Sequence, residues 1–198
     1  MATKSLKNIF LSASIPFKER DQKYYNSADI IAIRDSIVAL ASTVLPGHRL
    51  IWGGHPSITP IIYYVMQKLD LNIQEHVLLY QSKYFEHLFP PDNDKFKNII
   101  LTEKREKLAD SVFHMRERMF GEHKFEAAVF IGGMEGIEDE FKMFKEFHPK
   151  AFLMPVASTG AAAKLVYEEA LPDRFKNDRL VTDYGYMSLF QELLIEQL

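Results

Sequence analysis

The chain has 198 residues, 47% hydrophobic and 26% charged, with a net charge of −3 and no cysteine. Ordinary globular usage of this length supports one domain over residues 1–198 with a full three-layer core. The charge leaves no basic footprint for nucleic-acid binding, and the lack of Cys excludes disulfides and thiolate metal sites.

The start, MATKSLKNIFLSASIP, carries an apolar stretch of only about five residues, too short for a signal or a membrane span. A cytoplasmic protein without a membrane partner is therefore expected. Residues 8–12 (NIFLS) are an apolar run bounded by polar and Pro signals, the pattern of a buried strand. Ser12, Ser14 and Pro16 then open a polar loop to Asn26. Its Lys18, Arg20, Lys23, Tyr24 and Tyr25 either close over an anionic, aromatic ligand or form a plain solvated loop.

Residues 29–44 have helical spacing, with Asn26 and Ser27 as capping candidates and Arg34 at the surface. A second strand, residues 49–52, runs into Gly53-Gly54-His55-Pro56 and a helix over 59–69 that Ser57 or Thr59 can cap. The third strand is 76–80. Residues 81–94 read as an irregular excursion, whose rings (Tyr84, Phe85, Phe89, with Phe96) are either packing or a partner surface. A fourth strand, 97–101, precedes a charged helix over 103–120. Leu108, Val112, Met115 and Met119 form its apolar stripe, and Arg116 and Arg118 lie near its end.

The fifth strand, 127–131, stops at Gly132-Gly133. A helix follows whose first turn is acidic, with Glu135, Glu138, Asp139 and Glu140. A buried strand, a glycine turn and a helix N-terminus make a seat for a phosphate or ribose. The sixth strand, 151–156, leads through Ser158-Thr159-Gly160 into a helix over 161–170, and residues 186–197 close the chain as a helix. Short unpatterned strands alternating with helices, without hairpin signals, predict a mostly parallel sheet covered on both faces, an α/β/α arrangement of the Rossmann-like kind. The three glycine or hydroxyl turns after strands two, five and six then share one edge of the sheet, where ligands bind. The seven His residues show no paired ligand spacing and no G-x-S-x-G elbow occurs, so neither a metal site nor a Ser nucleophile is expected.

The set of motifs in order, IFLSASIP, LIWGGHPSITP, MRERM, FIGGMEGIEDE and MPVASTGAAA, resembles the SLOG superfamily. That superfamily unites LOG-type phosphoribohydrolases, DprA and the nucleotide-sensing domains of TRPM channels. The last two motifs look most like SLOG domains that accompany sirtuin or TIR domains in bacterial anti-phage systems such as Thoeris. This resemblance implies a sensor of an NAD-derived nucleotide, of the ADP-ribose or cyclic ADP-ribose type, in bacterial defence signalling. It also implies self-association and an effector protein encoded nearby, with no cofactor required.

The LOG enzymes supply the alternative, hydrolysis or transfer at a nucleotide N-glycosidic bond. Their signatures are M-x-x-R-K and P-G-G-x-G-T-x-x-E. Met115 and Arg118 match the first, with Met119 in place of Lys. Gly132, Gly133, Gly136 and Glu140 match the second with one residue inserted, and Ile131 and Ile137 replace its Pro and Thr. Loss of the Thr hydroxyl and the shift of Glu140 favour binding over catalysis, since misplacement by about 1 Å is costly in rate. As an enzyme, the chain would use Glu140 and Arg118. As a binding module, backbone N–H groups at Gly53-Gly54, Gly132-Gly133 and Thr159-Gly160 would hold a pyrophosphate. Ser12, Ser14, His55 and Ser158 would add polar contacts, and Arg116 or Arg118 would balance charge. Glu138 or Glu140 would take ribose hydroxyls.

Overall fold

A computed structural model describes residues 6–69 and 73–198; the reading of the first five residues as free of a leader lies outside them. Six strands form the sheet: β1 Asn8–Ser14, β2 Arg49–Trp52, β3 Val77–Ser82, β4 Ile99–Thr102, β5 Phe125–Gly132 and β6 Phe152–Val156. Their order is β4-β3-β2-β1-β5-β6 and every pairing is parallel. The chain therefore builds outward from β1 to β4 and then crosses to β5 on the other flank of β1. That reversal opens a crevice beyond the C-terminal ends of β1 and β5, where Ser14 stands opposite Gly132.

Successive strand residues point to opposite faces. Ile9, Leu11, Leu50, Trp52, Val129 and Ile131 enter the core under α2 (Ile30–Val44), α3 (Thr59–Lys68) and α8 (Tyr186–Leu193). Phe10, Ile51, Tyr80, Ala128 and Phe130 enter the core under α4 (Leu108–Glu122), α5 (Glu135–Phe147) and α6 (Ala161–Glu169). Both faces are covered, which is why these strands lack polar alternation. In the second core Phe10 meets Phe120 edge-on at 4.9 Å and stacks on Phe144 at 5.4 Å, while Phe130 meets Phe141 at 5.2 Å. These rings hold α4 and α5 against β1 and β5, and so fix the helices that carry the charged groups of the crevice.

Several local expectations change. Asp29 caps α2 by accepting from the Ala32 N–H at 2.9 Å, and Ser27 is used elsewhere. Neither Ser57 nor Thr59 caps α3; the first engages His55 and the second accepts from the Trp52 indole N–H at 3.4 Å. Helix α4 starts at Leu108 because the Ser111 hydroxyl, accepting from the Arg105 N–H at 2.8 Å, turns residues 103–107 away from helical geometry. Leu108, expected on the apolar stripe, is consequently 46% exposed. The excursion after β3 folds as two short 3-10 segments, Lys83–Leu88 and Pro91–Lys95. Among the described residues no helix is long and apolar enough to cross a membrane.

Candidate functional site

A cavity of about 460 Å³ opens at the C-terminal edge of β1, β2 and β3, bounded by α4 and the N-terminus of α5. Its size is that of a small-molecule site, which runs from about 300 to 1,000 Å³. Of the residues expected in a site, Ser12, Ser14, Gly53, Gly54, His55, Arg116, Gly136 and Glu140 line it.

Its polar end is built around Glu140. The Arg116 Nε donates to Glu140 Oε1 at 3.0 Å, and the Ser12 hydroxyl donates to Oε2. Arg116 Nη2 also donates to the Gly136 carbonyl at 3.0 Å. Both charged side chains are largely buried, at 13% and 15% exposed, so the pair fixes the orientation of the carboxylate in the crevice. Gly136 and Glu140 are four residues apart on α5 and share one face. Gly53 keeps the space before them open: a Cβ there would lie 3.1 Å from Met115 Cε and 3.9 Å from Glu140 Oε1. The first turn of α5 has no side-chain cap, and the Glu135 and Gly136 N–H groups have no acceptor among the described residues. These are open donors at the positive end of a helix.

The rim is ionic. Arg20, in the loop after β1, pairs with Glu135, and both reach the cavity. Beside it, His55 Nδ1 accepts from the Ser57 N–H at 3.2 Å and lies 2.7 Å from the Ser57 hydroxyl. Burial, reinforced by the Arg20 charge, pushes this imidazole down to about 4. His55 is thus a neutral polar group near pH 7.

Other expected site residues lie elsewhere. Arg118 points away from the cavity and bonds Glu122 at 2.7 Å, one helical turn along α4. Glu138 accepts from Tyr24 at 3.2 Å and from Lys23 at 3.3 Å, anchoring the one-turn α1 (Gln22–Tyr25). Burial and then that carboxylate push the Tyr24 hydroxyl up. The Gly132 and Gly133 N–H groups are also consumed internally. Gly132 donates to Thr159 Oγ1 at 2.9 Å and Gly133 to the Ser14 carbonyl at 2.8 Å. Their φ values of +58° and +79° let the chain reverse between β5 and α5. This reversal aims α5.

The third junction is closed. Ser158 pairs with Tyr186 at 3.1 Å, and the Thr159 hydroxyl donates to the Val156 carbonyl at 2.6 Å. The N-terminus of α6 donates from Ala161 N–H to the Ser27 hydroxyl at 3.0 Å. Gly160, at φ +71°, packs so tightly that a Cβ would lie 1.7 Å from the Ser27 carbonyl oxygen. Segment 27–29 therefore packs against this junction.

Sequence reasoning missed the opposite wall. Gln81 and Ser82 end β3, and with Phe85, Leu88, Phe89 and Pro90 from the following segment and Phe17 of the loop after β1 they line the cavity. A polar Gln-Ser pair at a strand terminus was the available signal. Among the described residues no cluster of three or more His, Asp or Glu side chains could hold a metal ion.

No curated protein matches the sequence. Among solved structures, the X-ray structure of TM1055, a structural-genomics target, is similar with a TM-score of 0.62 at 13% identity. The match covers 98% of this chain and 100% of that one, and at that identity it shows the fold. The family model described as the SLOG cluster3 family matches residues 23–194, and the chain belongs to that family.

Proposed function

We propose that this protein is a nucleotide-binding sensor whose ligand lies in the cavity above β1, β2 and β3. One observation carries the reading: a single cavity of about 460 Å³ is lined by a fixed carboxylate, an uncapped helix N-terminus and the rings of Phe17, Phe85 and Phe89. The Glu135 and Gly136 N–H groups would hold a phosphate, where positive helix ends favour anions. Glu140 would accept from ribose hydroxyls, and the aromatic wall would take the base. Membership of the SLOG cluster3 family supports a nucleotide as the ligand class. The finer assignment is an NAD-derived nucleotide of the ADP-ribose or cyclic ADP-ribose type, in bacterial defence signalling. It rests on the resemblance of FIGGMEGIEDE and MPVASTGAAA to sensor domains of anti-phage systems. In this reading the bound state is passed to a second copy of the chain or to an effector encoded nearby. Calorimetric titration with ADP-ribose, cyclic ADP-ribose isomers, NAD and AMP tests it, with binding expected for at least one. An absence of heat for all four into the hundreds of micromolar would sink it.

The placement of Glu140 sustains a second reading, cleavage of an N-glycosidic bond. Water would attack the ribosyl carbon, the base would leave with the C–N electron pair, and Glu140 would take the proton from water or stabilise the oxocarbenium-like centre. Against it stands Ile137, 3% exposed and packed into the α5 first turn where the LOG motif has a Thr hydroxyl. Incubation with AMP and NAD, followed by chromatography for free base, separates the two. Base release abolished by Glu140→Gln would establish hydrolysis.

A further inference from the structure

The wall opposite Glu140 carries one polar side chain with an unusual balance of partners. Gln81, the penultimate residue of β3, is 5% exposed and lines the cavity. Its amide oxygen accepts from Asn93 Nδ2. Asn93 is itself 5% exposed and held by its backbone, with its N–H on the Pro90 carbonyl at 2.9 Å and its carbonyl accepting from Phe96 N–H at 3.0 Å. The Gln81 amide nitrogen, by contrast, has no acceptor among the described residues. The nitrogen lies beside Gly54, which lines the cavity with it.

A buried primary amide with unused donors is costly unless something accepts from them. Asn93 has claimed the oxygen, so Gln81 offers donors only. Gly54 keeps the approach clear, since a Cβ there would lie 2.8 Å from the Gln81 amide nitrogen. The surroundings define the acceptor. Arg116, Glu140, Arg20 and Glu135 pair with one another at α5, and the lining that Gln81 shares also holds the apolar Phe17, Phe85, Phe89 and Pro90. A group that is apolar on its faces and accepts at its edge is a nitrogen heterocycle, and bases stack on such rings. Gly53 and Gly54 are adjacent, one touching Glu140 and the other Gln81, so a single ligand crossing this turn meets both.

We propose that Gln81 is a specificity-determining residue that donates a hydrogen bond to a ring nitrogen of the ligand's adenine base, with Asn93 as its positioning residue. The inference rests on the nucleotide reading above and adds which residue reads the base. ADP-ribose and its 1-deaza, 3-deaza and 7-deaza adenine analogues, each of which replaces one acceptor nitrogen by C–H, are titrated calorimetrically into the wild-type protein, Gln81→Met and Gln81→Glu. Gln81→Glu keeps an acceptor for Asn93 and reverses the group facing the ligand. One analogue is expected to bind the wild type about tenfold more weakly than ADP-ribose, as befits a lost hydrogen bond at a buried site. That difference is expected to vanish in both variants, a coupling that a merely structural Gln81 would not produce. If no analogue is discriminated, or if both variants keep the discrimination, the inference is wrong while the nucleotide reading stands. If wild-type protein binds no ADP-ribose, this inference fails, and the nucleotide reading fails with it only when cyclic ADP-ribose isomers, NAD and AMP give no heat either.

Discussion

Gly53 and Gly54 are neighbours in one turn, yet their substitution by Ala should produce opposite losses. At Gly53 the backbone is not left-handed, and the nearest atom to an added Cβ is the terminal methyl of Met115 at 3.1 Å. A flexible side-chain end yields a few tenths of an ångström at small cost. A Gly→Ala change at a compatible site stabilises by about 0.4–1 kcal/mol through the unfolded chain. The net effect on stability should be within about 1 kcal/mol of zero, while the new methyl intrudes beside Glu140 and weakens ligand binding by roughly tenfold or more, the scale of one displaced contact. At Gly54 the φ of +69° costs about 1–2 kcal/mol for an L side chain. The Cβ would also approach the Gln81 side chain to 2.8 Å and Leu79 to 3.0 Å, with about 1–3 kcal/mol of overpacking. The sum, about 2–5 kcal/mol, lowers Tm by roughly 4–20 °C for a domain of this size. Thermal unfolding of both variants, with calorimetric titration of whichever nucleotide binds the wild type, reads the two effects separately. Equal destabilisation of both, or full-strength binding by Gly53→Ala, would refute the assignment of the polar end.

Arg116→Met removes the guanidinium from Glu140 and the Gly136 carbonyl and leaves a largely buried carboxylate with Ser12 alone. A loss of about 2–4 kcal/mol is expected by urea unfolding, whereas Arg118→Met, at an exposed pair, should cost under about 1 kcal/mol. His55 predicts an acid limb. Its pKa falls from 6.5 in the unfolded chain to about 4 when folded, so the unfolded state binds more protons between these values and stability drops as pH falls through that window. The contribution is up to about 3 kcal/mol, and His55→Asn should flatten the pH dependence of urea unfolding between pH 6.5 and 4; an unchanged slope would remove His55 from the account. Gly160→Ala forces a Cβ into the Ser27 carbonyl at a left-handed position, so soluble expression and circular dichroism should show loss of the cooperative fold rather than a selective loss of binding.

The strands, their parallel direction and their shared C-terminal edge were legible because both-face burial writes itself as uninterrupted apolar runs ending in small or polar residues. The site was only partly legible, because chemically similar junctions acquire different roles from segments distant in sequence. The turn after β5 and the turn after β6 both looked open. Thr159, 27 residues beyond Gly132, takes one of its N–H groups, and Ser27, 134 residues before Ala161, fills the other junction. Nothing local to either turn encodes those partners. The choice between Arg116 and Arg118 was within reach of helical geometry. Met115 and Met119 face the core, Val112 and Arg116 share the cavity face at a spacing of four, and Arg118 joins Glu122 on a third face. Two residues correspond to about 200° around a helix, so adjacent arginines of this kind cannot serve one ligand together. The same rotation separates Glu138, bound to Tyr24, from Glu140 in the crevice. The glycine turn at Gly132-Gly133, expected as a phosphate seat, serves the crevice through α5. Its N–H groups are spent on Thr159 and Ser14, and that expenditure fixes the angle at which α5 brings Gly136, Glu140 and its open first turn over the end of β1.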